Sequence, residues 1–177
     1  MWTFSSLDSI WTSEARFWTA VKMIVLTSLM IEPSWSASFS IDASYLTSRR
    51  IVIPSTPVVQ LAGTLFNPPR LRMRGGIGWL DDRVSVSAFV NRVGGVTDNR
   101  MEQSLRVGGQ TTIDLTLRIG LGAGGLQGGT ELAVAVSNLF DAMPTAIATS
   151  YAFATPYDST NYSVIGRTIG VQLSRRF

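Results

Sequence analysis

The chain has 177 residues, enough for one ordinary domain, and a formal net charge of +3. Hydrophobic residues make up 45% and charged residues only 15%, below the roughly 25% usual in soluble proteins. The absence of cysteine and histidine excludes thiol nucleophiles, cysteine–histidine zinc clusters and histidine-based catalysis. No acid pair stands at catalytic spacing either, so we do not expect an enzyme. The sequence contains no run of about 20 apolar residues, so it predicts no membrane-spanning helix.

Residues 1–35 do not share the pattern of the later chain and hold four of the five tryptophans. The apolar run 20–31 is similar to part of a signal peptide or of a helix. Acidic residues upstream and Lys22 within the run argue against a signal peptide. We therefore treat 1–35 as an atypical N-terminal segment. Signal-like, helical, extra-strand and out-of-frame interpretations stay open.

From residue 36 onward, side chains of one kind recur at every second position, which is the period of a two-faced strand. The alternation predicts about six strands in an antiparallel meander, hence an all-β fold. Their approximate bounds are 36–48, 70–80, 83–93, 112–119, 131–138 and 166–177. A short extended piece is predicted near residues 58–61, and 94–110 are predicted to form a polar loop.

The connections between these strands alternate long, short, long, short, long. The long ones cover residues 48–69, 94–110 and 140–163, and the short ones are Asp81-Asp82 and the glycine-rich stretch 120–129. Outer-membrane barrels alternate short periplasmic turns with long extracellular loops. The order therefore favours a portion of an antiparallel transmembrane β-barrel, open as it stands. A soluble β-sandwich remains the alternative.

Arginine supplies nearly all the positive charge and is scattered along the strands, which argues against a nucleic-acid partner. Arg70, Arg72 and Arg74 alternate on one predicted strand, where each would cost about 2–4 kcal/mol facing lipid at the bilayer midplane. We expect them to face the lumen, as do Arg118 and Arg167. They either line a path for an anionic solute or, as we favour, form a wall paired with acidic groups.

The last long loop carries four aromatic residues: Tyr151, Phe153, Tyr157 and Tyr162. They are candidates to stack on a ligand at the extracellular surface, or to form an aromatic girdle at the membrane interface. The stretch 120–125 fits the pattern G-x-G-x-x-G, but another strand is predicted after it where a dinucleotide site needs a helix. We therefore expect a turn there and no cofactor.

Several short motifs resemble those of TonB-dependent outer-membrane receptors, in the order found along the last strands of that barrel. They are residues 63–72, 89–98, the T-x-D-L of 112–115, the N-L-F-D of 138–141, and 166–167 with the terminal 175–177. The resemblance extends from about residue 36 to residue 177. It implies that this stretch is a C-terminal fragment of such a receptor's barrel, without the plug domain.

The resemblance implies TonB-dependent uptake of a scarce nutrient such as a ferric siderophore, through a barrel of roughly 22 strands. This chain would supply barrel wall and extracellular loops, with TonB contacted only through a missing N-terminal part. The other implied partners are outer-membrane lipid, the barrel-assembly machinery and a small-molecule nutrient. In that family the assembly machinery reads the C-terminal aromatic residue, a role that falls to Phe177.

The implied location is the outer membrane of a Gram-negative bacterium. Two alternatives to a working receptor fragment remain. One is a small stand-alone outer-membrane β-protein with a structural role, and the other is a non-functional truncated receptor. Six strands leave two unpaired sheet edges, which a bilayer does not tolerate.

Overall fold

The computed structural model describes residues 16–32, 35–51, 57–122, 125–126, 129–149 and 153–175, with the backbone alone described for 16–32 and 49–51. Every regular element in these ranges is a β-strand, so the expected all-β class is confirmed. None of the described residues forms a helix long and apolar enough to cross a membrane.

Seven strands form the main antiparallel sheet, and an eighth, the short β3, pairs with β2 at one end. The strand order is β1-β2-β4-β5-β8-β9-β10, so the chain adds one strand after another to the same side. β6 and β7 form a separate hairpin. The strands are β1 Arg16–Glu32, β2 Trp35–Ile51, β3 Val59–Gln60, β4 Leu71–Asp81, β5 Val84–Val93, β6 Val96–Asp98, β7 Leu105–Val107, β8 Gln110–Leu121, β9 Thr130–Ser137 and β10 Thr168–Arg175.

The six strands predicted from alternation correspond to β2, β4, β5, β8, β9 and β10. The predicted short extended piece corresponds to β3, whereas the predicted polar loop contains the hairpin of β6 and β7. The main sheet is open, because in the part of the chain described here β1 and β10 are its two edges.

β1 is the main departure from the sequence analysis, which left residues 1–35 without an assigned structure. The structure has a strand at Arg16–Glu32, not a helix, and it pairs antiparallel with β2 from Arg16↔Ile51 to Glu32↔Trp35. Alternation does not reveal this strand, because the run 20–31 is nearly all apolar and therefore has no period of two. The division of the chain at residue 35 stays a prediction.

Register gives the sheet one mainly apolar and one mainly polar face from β2 to β10. On one face, Ile77 of β4 lies between Phe39 of β2 and Ala88 of β5, and the apolar rows continue through β8 and β9 to β10. We call this the apolar face. The opposite, polar face carries hydroxyl, amide, charged and glycine residues, such as Ser38 beside Gly78. Arg92 on the apolar face and Leu80 and Phe89 on the polar face are exceptions.

The buried hydrophobic cluster does not lie on either face of the sheet. It consists of Leu65, Val96, Val107 and Tyr162, all from the long connections between strands. On the apolar face, by contrast, Ile77 is 59% exposed. In the described residues, therefore, the apolar face has no second layer to pack against, whereas Leu46 of β2 is buried and Val93 of β5 packs against the buried cluster.

The two ends of the sheet differ. The strand ends joined by the short β1–β2, β4–β5 and β8–β9 connections all lie at one end of the sheet, which we call the turn end. The strand ends joined by the long β2–β4, β5–β8 and β9–β10 connections lie at the other end. The predicted alternation of connection lengths is thus present in the structure, with one more short connection contributed by β1.

The polar face is closely packed around Gly76, and a substitution there tests this packing. A Cβ at this buried position would lie 2.6 Å from the ring of Phe89 and 2.7 Å from the Ser40 hydroxyl, whereas a Cβ at Gly75 meets nothing within 4 Å. We expect Gly76→Ala to lower the free energy of unfolding by about 1–3 kcal/mol, since the ring must move. Gly75→Ala is the matched control, and urea unfolding in detergent measures both. Equal effects of the two substitutions would contradict the packing described.

Candidate functional site

The polar face carries three of the five arginines that are predicted to face a lumen, although Arg118 lies toward the turn end, level with Leu80. Arg72 and Arg74 alternate on β4, and Arg118 lies on the same face of β8. Arg70 lies in the bend before β4, and Arg167 lies in the long connection just before β10. The five arginines therefore do not form one array. Whether their surroundings are a lumen stays a prediction.

Contacts with Phe89 and Asn91 fix the orientation of the Arg74 guanidinium. Its guanidinium carbon lies 4.2 Å from the centre of the Phe89 ring, and its Nη1 donates to Asn91 Oδ1 at 3.1 Å. Asn91 in turn donates through Nδ2 to Asp114 Oδ2 at 2.8 Å. Stacking and hydrogen bonding fix the orientation of an arginine and reduce the entropy lost when it binds a ligand. Arg74 is thus a pre-oriented cation exposed on the polar face.

The favoured prediction is that the arginines pair with acidic groups, in a full receptor those of the plug, and it stays a prediction. In the structure Arg118 pairs with an acidic side chain of the sheet itself. Its Nε and Nη2 each donate to a carboxylate oxygen of Glu131 at 2.8 Å. The side chains of the other predicted arginines donate to amide or carbonyl oxygens. These contacts are Arg70 to Thr47 O at 2.7 Å, Arg72 to Asn161 Oδ1 at 3.1 Å, Arg74 to Asn91, and Arg167 to Leu139 O at 3.4 Å.

A cleft of about 460 Å³ lies around the Arg118–Glu131 pair, toward the turn end of the polar face. Ala133 and Ala135 of β9 line it with small side chains and so leave room above the sheet. The polar groups around it come from Thr116, Gln172 and Ser174. Hydrogen-bond donors and acceptors around an internally neutralised ion pair suit a polar solute better than a bare ion.

The glycine-rich turn between β8 and β9 borders this cleft with Gly125 and Leu126. The turn is tied to the neighbouring β4–β5 turn, because Leu126 N donates to Asp82 O at 2.8 Å. Gly125 has a φ of +56°, a conformation that glycine adopts without steric cost. A dinucleotide site requires a helix directly after the pattern G-x-G-x-x-G, whereas here the next element is the strand β9.

At the opposite end, the three long connections pack into one unit, which we call the loop cap (residues 57–70, 94–109 and 138–167 where described). Leu65, Val96, Val107 and Tyr162 form its buried cluster. Backbone hydrogen bonds join the first two connections, from Leu65 N to Thr97 O at 2.9 Å and from Thr97 N to Gly63 O at 2.8 Å. The long connections thus have a hydrophobic core of their own.

Asp158 is the most deeply buried polar residue described, with no exposed surface. Its carboxylate accepts hydrogen bonds from Phe66 N at 3.0 Å, Thr160 N at 3.1 Å and Asn161 Nδ2 at 2.8 Å. A buried carboxylate is tolerated when several donors replace its water shell. The Phe66 contact ties the third long connection to the first.

The N-L-F-D motif at 138–141 fixes how the third connection returns to the sheet. Asn138, with a φ of +51°, accepts from Ala142 N at 2.8 Å and donates to Ile165 O at 3.2 Å. Asp141 Oδ1 accepts from Arg167 N at 2.8 Å. The motif thus holds residues 165–167 in place directly before β10, a role that sequence reasoning did not assign to it.

The loop aromatics do not form one surface. Phe153 is 97% exposed and Tyr157 is half-buried. Tyr162 is only 5% exposed, and its hydroxyl donates to Gly94 O at 2.8 Å. The expectation that Tyr162 faces a ligand is therefore corrected, because its ring packs inside the loop cap. Tyr151 and Phe177 lie outside the described residues, so their roles stay predictions.

Within the described ranges, no group of three or more acidic, histidine or cysteine side chains is placed to hold a metal ion. No family model matches the sequence, and comparison with curated proteins and with solved structures found no match. The likeness to TonB-dependent receptors thus stays a hypothesis based on short motifs.

Removal of the Asp158 carboxylate should loosen the loop cap. Asp158→Ala removes the acceptor of Phe66 N and of Thr160 N. Asn161 Nδ2 keeps its bond to Asn67 O at 2.8 Å, so we expect a cost of about 1–3 kcal/mol. Amide hydrogen exchange at Phe66 and Thr160, with limited proteolysis of 138–167, measures the change. Asp82→Ala, at an exposed position in the β4–β5 turn, is the control. Unchanged exchange in Asp158→Ala would contradict the role assigned to this carboxylate.

The loop cap should also weaken at alkaline pH. Burial raises the pKa of the Tyr162 phenol, and the charge of Asp158 adds to the effect. The folded pKa then exceeds the unfolded value of about 10, so this contribution to stability is full below pH ~10 and falls as pH rises above it. Amide exchange in the cap, corrected for the base-catalysed rise of the intrinsic rate, should therefore speed up above that pH.

Tyr162→Phe provides the comparison for this pH dependence. The substitution removes the titrating group and the hydrogen bond to Gly94 O, which costs about 1 kcal/mol at neutral pH. The variant should lose the alkaline acceleration of amide exchange that Tyr162 causes. An identical alkaline profile in both proteins would show that other groups control the cap.

Proposed function

We propose that this chain forms part of the wall of an antiparallel β-barrel in the outer membrane of a Gram-negative bacterium. The single observation that carries the proposal is the uncovered apolar face, opposite a polar face that bears Arg72, Arg74 and Arg118. Lipid is a partner that covers such a face over its whole width. A water-filled or ligand-filled lumen accommodates the arginines opposite.

The extent of the apolar face supports lipid as its partner. Large side chains from β2 to β10 remain exposed on it, including Phe39, Val90 and Val171 at 45%, 42% and 69%. Soluble monomers rarely expose contiguous apolar patches of more than a few hundred Å². A face six strands wide exceeds that, and each strand alternates as a lipid-facing strand does.

Aromatic residues near the two ends of the apolar face support the same conclusion. Tyr45 pairs with Leu71 near the loop cap, and Trp79 lies eight residues further along β4 near the turn end. At ~3.3 Å per residue the two rows are about 26 Å apart along the strand. The apolar band of outer-membrane barrels is about 25 Å tall, with aromatic residues at both interfaces.

Connection lengths support an orientation for this wall. The turn end would face the periplasm and the loop cap would lie outside, as in barrels with short periplasmic turns and long outer loops. The packed loop cap then presents the exposed Phe153 and the half-buried Tyr157 to the exterior. In this orientation the polar-face cleft lies toward the periplasmic end.

We further propose that the wall belongs to a TonB-dependent receptor for a scarce nutrient such as a ferric siderophore. The proposal is supported by the order of the motifs along the chain. One of them, N-L-F-D at 138–141, hydrogen-bonds to residues 165 and 167 directly before β10. The chain would contribute wall, outer loops and the cleft around Arg118, and the barrel-assembly machinery would insert it. Coupling to TonB and the plug would fall to other regions of the receptor.

The apolar face is tested by placing one charge on each side of the same strand. Val90 lies on the apolar face and is 42% exposed, and it pairs with Gly75, midway between the Leu71 and Trp79 rows. Ser87 lies on the polar face of the same strand, beside Gly78. In a bilayer, Val90→Arg should cost about 2–4 kcal/mol near the midplane, a loss of roughly 30- to 1,000-fold in partitioning. Ser87→Arg should change partitioning far less.

The measurement is flotation of urea-unfolded chain with phosphatidylcholine vesicles after dilution. If the chain is instead a soluble sandwich, both substitutions at these partly exposed sites should be nearly neutral. Recovery of the unmodified chain as a monodisperse species without detergent, with Val90→Arg and Ser87→Arg alike, would refute the membrane proposal.

A further inference from the structure

The two edges of the sheet constrain what can complete the wall, on the assumption that the proposed membrane function holds. β10 pairs with β9 along Thr168–Arg175, and all eight of its residues are exposed. β1 pairs with β2. Among the described strands neither has a partner on its outer side. In a bilayer each unsatisfied backbone group costs several kcal/mol, so both edges require a strand partner.

The direction of the edge strands follows from the order of the sheet. Seven antiparallel neighbours alternate in direction, so the first and the seventh point the same way. β1 runs toward the turn end, where Glu32 pairs with Trp35. β10 also runs toward the turn end, from Thr168↔Ser137 to Arg175↔Thr130. The strand that sequence analysis did not predict, β1, is what makes the number odd.

Copies of this chain alone do not close such a sheet with antiparallel pairs. A ring of copies related by rotation about a barrel axis keeps strand direction, so each β10 would meet a parallel β1. A two-fold axis along the strands would turn the apolar face of one copy to the opposite side. A two-fold axis perpendicular to the sheet would place the two loop caps on opposite sides of the membrane.

We infer that the sheet is completed by a partner segment that supplies an odd number of β-strands. The outer strands of this segment run antiparallel to β1 and to β10, so the alternation of direction continues around the barrel. Beside β10, the partner strand carries apolar side chains next to Ile169, Val171 and Leu173. Its opposite face is polar or small, next to Gln172 and Ser174.

The test extends the full chain with strands of its own sequence. After Phe177 we would append a copy of residues 82–93, which brings a turn and a strand that runs away from the turn end. Copies of 110–121 and then 130–137 follow through Asn-Gly turns, so the series carries one, two or three extra strands. The sheets then have eight, nine or ten strands, and eight is the smallest single-chain outer-membrane barrel.

Closure is read out by heat-modifiable gel migration and by trypsin digestion after folding into vesicles. The chain has no cysteine, so one cysteine in β1 and one in the last appended strand report directly on their pairing as a disulfide. Chains with one or three extra strands should include at least one that closes as a monomer, with about tenfold slower digestion. The unmodified chain and the chain with two extra strands should stay open.

Closure of the unmodified chain, alone or as a ring of copies, would overturn the inference. So would closure with two extra strands, or failure to close with both one and three. Vesicle flotation separates this failure from that of the proposed function. If the chains with one or three extra strands float but the odd-number rule is violated, only the partner inference is refuted, whereas both proposals are refuted if neither of these chains floats.

Discussion

Antiparallel register is the constraint on which the rest of this structure depends. Because each residue from Arg72 to Leu80 of β4 has a fixed partner on β2 and on β5, most polar and apolar side chains stay on opposite faces across the sheet. A slip of β4 by one residue against β2 and β5 would place Arg74 among the apolar side chains. The same register sets Phe89 over Gly76, and it brings Arg118 beside Glu131.

The structure separates two tasks between the sheet and its long connections. The sheet has no buried hydrophobic layer in the described residues, so its apolar face depends on whatever surrounds the protein. The loop cap buries its own cluster around Val96 and Tyr162 and satisfies Asp158 internally. The cap is thus stabilised by its own contacts, whereas the sheet is stabilised by strand pairing and by its environment.

Alternation was enough to locate six strands, since each has a polar and an apolar side with different chemistry. β1 was not predicted because its apolar run has no period of two. Its pairing with β2 is a tertiary contact that the local sequence does not indicate. Likewise, nothing local indicates that Asp158 meets Phe66, 92 positions away, or that Tyr162 is buried while Phe153 is exposed. The Arg118–Glu131 pair also needed the register of β8 and β9, although each arginine was a visible candidate.

The contacts of the loop cap have a consequence for the order of folding. The contact between Phe66 and Asp158 and the bond from Tyr162 to Gly94, 68 positions apart, both span several strands. Hairpins between neighbouring strands close short loops and form early, whereas such distant contacts carry the full entropy of loop closure. The cap therefore forms late, after β4, β5, β8 and β9 have brought its segments together. A chain with an incorrectly paired strand would lack a buried site for Asp158, so cap formation acts as a check on correct assembly of the sheet.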